Sequence, residues 1–395
     1  MRYSSVGARL DGLGSGKWAV HFLGRKLRAQ GRDIIELTIG EPDLPVDPDL
    51  IEVAVDAMRA GRTAYSDGHG ESALLAAIAA KYSRRSGRQI GTDQVICLPG
   101  TQNALYAVMQ TLVETGDAVA VPDPCYATYE GVIRATGARM VPVPMPQQNG
   151  FRLTPQALEA ALTPDCRALL LNTPHNPTGV VLNAAEIAAI TEVCRRRDLW
   201  IISDEVYEEL IFGETAFASP FDRADAAERT VVVSSISKSH AAPGFRSGWV
   251  VGPAEFCNRL LPLAEMMLFG NQPFIADMTV AALTRPNPTA ATLRQMLSRR
   301  ARLVCDAANA TPGLRADLPQ AGMFVMLDVS GTGMDGDQFA RSLLVEQGVS
   351  TMPGGSFGHA ARDFLRLSLT VPDETLTQAM QRISDHARAM RERTA

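Results

Sequence analysis

The sequence predicts an α/β fold with a mainly parallel sheet, followed by a smaller α+β domain. Three observations carry that expectation. Short continuous apolar runs rich in Val, Ile and Leu recur between residues 95 and 235. Amphipathic helical stretches separate them, as in βαβ units whose strands are covered on both faces. Near residue 290 the pattern changes to long helices flanking isolated strands, which fits an α+β layer.

Taken in order, "WAVHFLGRKLRAQG" reads as an opening helix. "QVICLPG" is a strand feeding the helix "TQNALYAVMQTLVETG", and "DAVAVPD" is a strand before the helix "YATYEGVIRATG". "CRALLLNTP" precedes the helix "NAAEIAAITEVCRRRD", and "LWIISDE" and "TVVVSSIS" are two further strands. The later part reads as the helix "TLRQMLSRRARLVCDAANA", the strand "MFVMLDV", the helix around "GDQFARSLLVEQG" and the strand "FLRLSL". We divide the chain into an N-terminal segment, 1–48, packing with the small domain, a large domain, 49–288, and a small domain, 289–395. No internal repeat or low-complexity tract interrupts it.

Composition narrows the function. Of 395 residues 46% are hydrophobic and 21% charged, ordinary for a globular protein with a sizeable core. The net charge is −5 and no Lys/Arg block stands out, so neither nucleic acid nor an anionic membrane is an expected partner. Six scattered cysteines without a C-x-x-C pattern argue against a disulfide framework or zinc site and for a reducing, cytoplasmic setting. The N-terminus lacks the apolar core of a signal peptide, and no run reaches the length of a membrane span. His69, His175, His240 and His359 have no metal-ligand spacing, so no metal is expected. Arg195–Arg197 reads as a solvated helix end.

Open α/β sheets bind ligands at the carboxyl ends of their strands, so the polar residues following each apolar run are the candidates. After "VICL" come Pro99, Gly100, Thr101 and Gln102, a small-residue turn opening a helix, suited to a phosphate. After "ALLLN" comes "TPHNPTG", a rigid turn that presents Asn176. After "LWIIS" come Asp204, Glu205 and Tyr207; an acid leaving a buried strand needs a cation or a donor, unless it only caps a helix. After "TVVVSS" come Ser235, Ser237, the lone Lys238 and, further on, Arg246. A lysine can form an imine with a carbonyl, and a buried acid can keep a pyridine nitrogen protonated. Together they are the protein's share of pyridoxal phosphate chemistry.

The motifs "GEPD" (40–43), Tyr65 with "GES", "GTQNAL", "PDPCYATY", "NPTG", "SDEVYEEL", "SKS…GFRSGW", "PGGSFG" (353–358) and "LRLSL" occur in that order. In this the chain resembles the class I/II aminotransferases, the fold type I pyridoxal-phosphate enzymes, over nearly its whole length. The "TPHNP" and "SKSHA…GWVVGP" stretches look like those of the arginine–pyruvate transaminase branch.

The resemblance implies a large domain with a mainly parallel seven-stranded sheet and a cytoplasmic homodimer binding pyridoxal 5'-phosphate. It implies that Lys238 forms the imine and later shuttles the proton, and that Asp204 pairs with the pyridine nitrogen. Asn176 and Tyr207 would bond the phenolic oxygen, and Tyr126 would stack on the ring where many relatives carry Trp. Thr101, Gln102, Ser235 and Arg246 would hold the phosphate in a loop shaped by Gly100, with Tyr65 reaching the partner subunit's phosphate. Arg366, helped by Gly40 and Asn176, would clamp the substrate α-carboxylate. The expected reaction is ping-pong transfer of an amino group from an L-amino acid to a 2-oxo acid, pyruvate or 2-oxoglutarate.

The same residues would also serve a β-eliminating lyase. A ligand-sensing regulator of this fold would carry a DNA-binding module ahead of it, for which the sequence leaves no room. On substrate, no Lys or Arg occurs between Arg88 and Arg134, whereas Asp93, Glu114, Asp117, Asp123 and Glu130 do. Carboxylates near the ring-stacking Tyr126 would disfavour a dicarboxylic donor and favour a basic or neutral one. Lys17 or the partner subunit could supply a distal clamp instead.

Overall fold

The computed structural model describes residues 1, 3–13 and 16–394. In chain order its strands are β1 (Ile35–Glu36), β2 (Val95–Leu98), β3 (Ala118–Asp123), β4 (Arg139–Pro144), β5 (Cys166–Asn172), β6 (Trp200–Asp204) and β7 (Thr230–Ser235). They continue with β8 (Gly248–Val251), β9 (Arg315–Ala316), β10 (Phe324–Asp328), β11 (Val349–Ser350), β12 (Met352–Pro353) and β13 (Phe364–Ser368).

Seven strands form the large sheet in the order β2-β8-β7-β6-β5-β3-β4. Its middle strands are apolar because helices cover both faces: every residue of β7 and β8 is buried, as is every residue of the edge strand β2. β8 runs antiparallel to both β2 and β7, and the remaining pairs are parallel. β2 and β7 therefore point the same way, and the segments after β2, β5, β6 and β7 leave at one edge.

A four-stranded sheet, β12-β13-β10-β9, and the parallel pair β1–β11 form a second centre. Its core includes Leu37, Leu297, Phe339, Leu365 and Ile383, and it reaches Tyr207 and Leu210 in the turn after β6.

Two strands of the large sheet are absent from the sequence reading. β4 carries Pro142 and Pro144, which argue against a strand; it is the edge strand and pairs only with β3, where a missing N–H is tolerated. β8 is only four residues long and lies inside a stretch dominated by site residues. The helix expected from Tyr126 starts at Tyr129, the preceding residues being a turn closed by Tyr129 N–H on the Tyr126 carbonyl.

One buried cation ties the second centre together. Arg300, on the Pro288–Asn309 helix, is 4% exposed and pairs with Asp43 and Asp373 at 2.8 Å each. It also donates to the Leu369 carbonyl at 3.0 Å. Asp43 belongs to the "GEPD" loop, so this contact fixes the loop that reaches the site. Removing one partner of a buried pair commonly costs about 3–5 kcal/mol. Arg300→Ala should lower the unfolding free energy by about 3 kcal/mol, the lower end of that range because Asp43 and Asp373 can rehydrate, read as a lower urea midpoint with an unchanged m-value.

Candidate active site

The strand ends converge on a cavity of about 590 Å³. At one end, Gly100 precedes the Thr101–Leu112 helix, whose first turn has no side-chain cap. Gly100 has φ +88°, and a Cβ there would run into the Arg246 guanidinium. Arg246 itself sits in the left-handed region and donates to the Pro99 and Pro243 carbonyls, at 3.1 and 2.5 Å. Thr101 Oγ1 donates to Ser235 Oγ at 3.0 Å. Free helix N–H groups, two hydroxyls and an arginine with no carboxylate partner among the described residues make a cradle for a dianionic phosphate.

In the middle, β6 ends on Asp204, which is 4% exposed. The Tyr129 hydroxyl donates to Asp204 Oδ2 at 2.7 Å and the Val206 N–H to Oδ1 at 3.3 Å. Burial pushes the Asp204 carboxyl up to about 6, against the lowering effect of those bonds and of Lys238. Lys238 Nζ donates to the Gly40 carbonyl at 2.6 Å. Burial first, then Arg366, push this amine down to about 8, with Arg246 adding to the shift and Glu41 and Asp204 opposing it. An amine so shifted is a nucleophile near neutral pH.

At the far end is Arg366, on β13 and 2% exposed. It donates to Asn176 Oδ1 at 3.1 Å and to the Thr38 carbonyl at 2.7 Å. Its guanidinium lies 3.8 Å from the Phe324 ring centroid and 4.5 Å from that of Phe357. Nε is buried without a hydrogen bond, and no carboxylate pairs with it among the described residues. Burial pushes Arg366 down to about 10, Tyr207 and Tyr126 opposing. A buried guanidinium among neutral acceptors and aromatic faces suits an anionic group. Gly40 is held close by packing: a Cβ there would enter the Phe324 ring. Asn176 is set by its own N–H donating to Asn172 Oδ1 at 2.7 Å, while Asn172 Nδ2 donates to the Asp204 carbonyl at 2.9 Å. Tyr207 is buried beside Asn176, and burial raises its hydroxyl well above the ordinary value.

Of the expected site residues, Gly40, Thr101, Gln102, Tyr126, Asn176, Asp204, Tyr207, Ser235, Lys238, Arg246 and Arg366 all line this cavity, and Gly100 shapes its phosphate end. Tyr65 does not: it is 91% exposed, beside Phe269 in a separate groove. Sequence reasoning missed Tyr129, Asn172, Phe324 and Glu41. The spacing of Tyr126 and Tyr129 was the available signal for the first, because residues three apart share a helix face.

The acidic stretch is corrected. None of Asp93, Glu114, Asp117, Asp123 and Glu130 lines the cavity. Glu130 pairs with Lys17 and Arg134 and Asp117 with Arg167, so neither acts on a substrate. Lys17 is held by Glu130 at 2.9 Å and by the Ala127 carbonyl at 3.3 Å, so it is no distal clamp within its own chain. His175 and His240 make local bonds to Thr178 and to Ser239 and the Ala282 carbonyl. Arg195–Arg197 are exposed and paired with Glu192 and Glu159. All six cysteines are buried and free. Among the described residues no acid, His or Cys cluster could hold a metal.

A mainly parallel α/β sheet thus brings an amine, a buried acid, a helix N-terminus with two hydroxyls and an arginine, and a buried guanidinium to one edge. The chain belongs to the family of class I and II aminotransferases, whose model matches residues 32–383. It is 44% identical over 385 residues to an arginine–pyruvate transaminase of Pseudomonas aeruginosa, covering 97% of this chain and 98% of the relative. It is 32% identical over 365 residues to an aspartate aminotransferase of Geobacillus stearothermophilus, covering 91% and 92%. Among solved structures, an aspartate aminotransferase from Rhizobium meliloti superposes with TM-score 0.93 at 26% identity, covering 98% of this chain and 99% of that one. The fold is fold type I, and the chain is an aminotransferase of a pyridoxal-phosphate-dependent family.

The raised Asp204 carboxyl has a consequence for the apoprotein. Its folded value lies above the ordinary 3.8, so ionising it between about pH 4 and 6 costs stability, and the cost is complete above about pH 6. Asp204→Asn removes it. At pH 8 the apo variant should be more stable than the parent by roughly 1–3 kcal/mol, the gain vanishing near pH 4, while cofactor affinity falls. Chemical denaturation of both apoproteins across that range is the measurement.

Proposed function

We propose that this chain holds pyridoxal 5'-phosphate in the cavity and moves an amino group from a basic or neutral L-amino acid to pyruvate, or less readily to 2-oxoglutarate. The observation that carries this reading is the buried Arg366 guanidinium without a carboxylate partner among the described residues, sharing one cavity with Lys238. The donor and acceptor named for the Pseudomonas aeruginosa relative support the choice of substrates.

Thr101, Gln102, Ser235 and Arg246 would hold the phosphate, and Asp204 would keep the ring nitrogen protonated. Asn176 and Tyr207 would bond the phenolic oxygen, and Tyr126 would cover the ring. When bound, the cofactor supplies an aldehyde that exchanges amines and a ring that takes up the electron pair left at Cα. Arg366, with Asn176 and Gly40, orients the substrate through its α-carboxylate, an orientation contribution. Lys238 Nζ would take the proton from the substrate Cα and deliver it to the carbon that carried the cofactor's aldehyde, general acid–base work of roughly 10²–10⁴-fold. Donor and acceptor use the same Arg366 clamp in turn, so the kinetics are ping-pong.

We propose further that the enzyme is a cytoplasmic homodimer with Tyr65 serving the phosphate site of the partner subunit. The exposed Tyr65, Met266 and Phe269 support a covered face there. Its chain divides into 1–48, 49–288 and 289–395, a reading supported by the confinement of the large sheet to residues 95–251 and the four-stranded sheet to 315–368. Among the described residues no helix is long and apolar enough to cross a membrane.

The direct test incubates the holoenzyme with a panel of amino acids and follows 2-oxo acid formation. Turnover dependent on a 2-oxo acid acceptor supports the reading; pyruvate and ammonia from β-substituted donors without any acceptor indicate elimination instead. Lys238→Ala should bind cofactor without an imine and lose turnover by at least three orders of magnitude. In the parent apoprotein the rate of aldehyde capture should rise with pH and level off above about 8, because the neutral amine attacks; stopped-flow absorbance reads it.

For the dimer, mixing inactive Lys238→Ala with inactive Tyr65→Ala subunits should restore up to about a quarter of parental activity, since hybrid dimers carry one intact site. A fully active monomer in sedimentation would refute the shared site.

A further inference from the structure

The Arg366 guanidinium donates to Asn176 Oδ1 at 3.1 Å and to the Thr38 carbonyl at 2.7 Å, acceptors from distant parts of the chain. Asn176 is held through its own N–H by Asn172. Thr38 is held from outside the cavity.

Glu36 and Thr38 alternate with Leu37 along an extended segment, so they share a face while Leu37 enters the core of the second centre. Thr38 Oγ1 donates to Glu36 Oε1 at 3.2 Å. His21 Nδ1 lies 2.8 Å from Thr38 Oγ1 and 3.1 Å from Glu36 Oε1. The Thr38 hydroxyl hydrogen is committed to Glu36, and an ionised Glu36 can only accept. The His21 proton therefore sits on Nδ1 and is donated to both. Arg28, on the same face of the Ala19–Ala29 helix, steadies the other Glu36 oxygen at 3.2 Å. The helix comes this close because position 24 is glycine: a Cβ there would meet Ser350 Oγ at 2.7 Å. Trp18, just before the helix, sets its ring edge-on to the imidazole with centroids 5.7 Å apart, and it lines the cavity.

We infer that His21 is a positioning residue for the anion clamp: it holds Thr38 so that the Thr38 carbonyl fixes the Arg366 guanidinium in the orientation that receives a carboxylate. The inference rests on the role proposed above for Arg366. Thr38 and His21 are both buried, so no water substitutes for a lost bond at low cost. Both ties act on one residue, its hydroxyl on His21 and Glu36 and its carbonyl on Arg366. A shift of Thr38 that withdrew the carbonyl would stretch the 2.8 Å bond to His21. Arg366 Nε is buried without a hydrogen bond, so among the described residues Asn176 alone would then hold the guanidinium by hydrogen bonding.

The probe is pentanoate, a carboxylate with no amine to transfer, titrated into the holoenzyme by calorimetry. His21→Leu, which keeps bulk and removes the donor, should weaken pentanoate binding about fivefold. Thr38→Val, which keeps the carbonyl and removes the hydroxyl, should do the same. The double variant should bind no more weakly than either single one, because both break one connection. His21→Asn, whose amide nitrogen falls near the place of Nδ1, should restore affinity to within about twofold of the parent. kcat/KM for amino-acid donors should fall and recover in step, while the affinity for pyridoxal 5'-phosphate stays parental. A histidine that only anchors its helix would lower the unfolding midpoint and leave pentanoate binding alone. Folded His21→Leu and Thr38→Val proteins that bind pentanoate as the parent does, or additive losses in the double variant, overturn the inference. Arg366→Leu separates this failure from failure of the reading beneath it. Pentanoate binding lost in Arg366→Leu but parental in His21→Leu sinks the role of His21 alone; equal binding by the parent and Arg366→Leu sinks the clamp, and this inference with it.

Discussion

Two adjacent carboxylates at the end of β6 hold the site in place. Neighbouring residues of a strand point to opposite faces, so Asp204 faces the cavity and Glu205 faces away. Glu205 is fully buried against Arg85 at 2.8 Å, accepts from Ser203 Oγ at 2.8 Å and accepts from Ser219 Oγ. Burial pushes it up to about 7, with Arg85 pulling the other way. Three residues on, Glu208 meets Arg85 and Lys81, and Glu209 meets Lys81 at 2.8 Å. Arg85 and Lys81 lie on the Ser72–Ser86 helix. The turn carrying Asp204 and Tyr207 is thus bolted to a helix on the side away from the cavity, and Asn172 bonds its backbone from the neighbouring strand. Rigid support from behind is what lets an unpaired acid remain aimed at a ligand.

The cavity itself is out of balance. Lys238, Arg246 and Arg366 outnumber Asp204 and Glu41, and Arg366 is buried with only neutral acceptors and aromatic faces around it. Such charges burden the folded chain until anions arrive. On the proposed function a phosphate at one end and a carboxylate at the other would relieve that burden. On that reading binding energy and catalytic placement would come from the same groups, and the downward push on Lys238 comes partly from Arg366 and Arg246.

The parts of this arrangement that follow an apolar run were legible in the sequence. Lys238, Asp204 and Asn176 stand directly after buried strands, where a polar residue needs a reason. The sheet was legible for the same cause, except at β4, whose prolines are permitted by its edge position, and at β8, too short to register as an element. What the sequence hid was lateral. Tyr129 reaches Asp204 across 75 positions, and Phe324 shapes the Arg366 end from the neighbouring strand of the same sheet. Nearness along the chain misled in the acidic stretch: Glu130 lies close to Tyr126 in sequence, yet its helix turns it towards Lys17 and Arg134.

Specificity must then be sought outside the shared machinery. Every α-amino acid offers the same amine and α-carboxylate, so Lys238, Asp204 and Arg366, in the roles proposed for them, would not tell donors apart. The relatives illustrate this: one is named for arginine and pyruvate and another for aspartate, at 44% and 32% identity to the same chain. The discriminating contacts lie where the side chain ends, among the few cavity residues that touch neither cofactor nor carboxylate. Trp18 and Ile39 are two cavity residues of this kind, both apolar. A fold this widely shared changes its substrate by altering such a rim rather than the machinery beneath it.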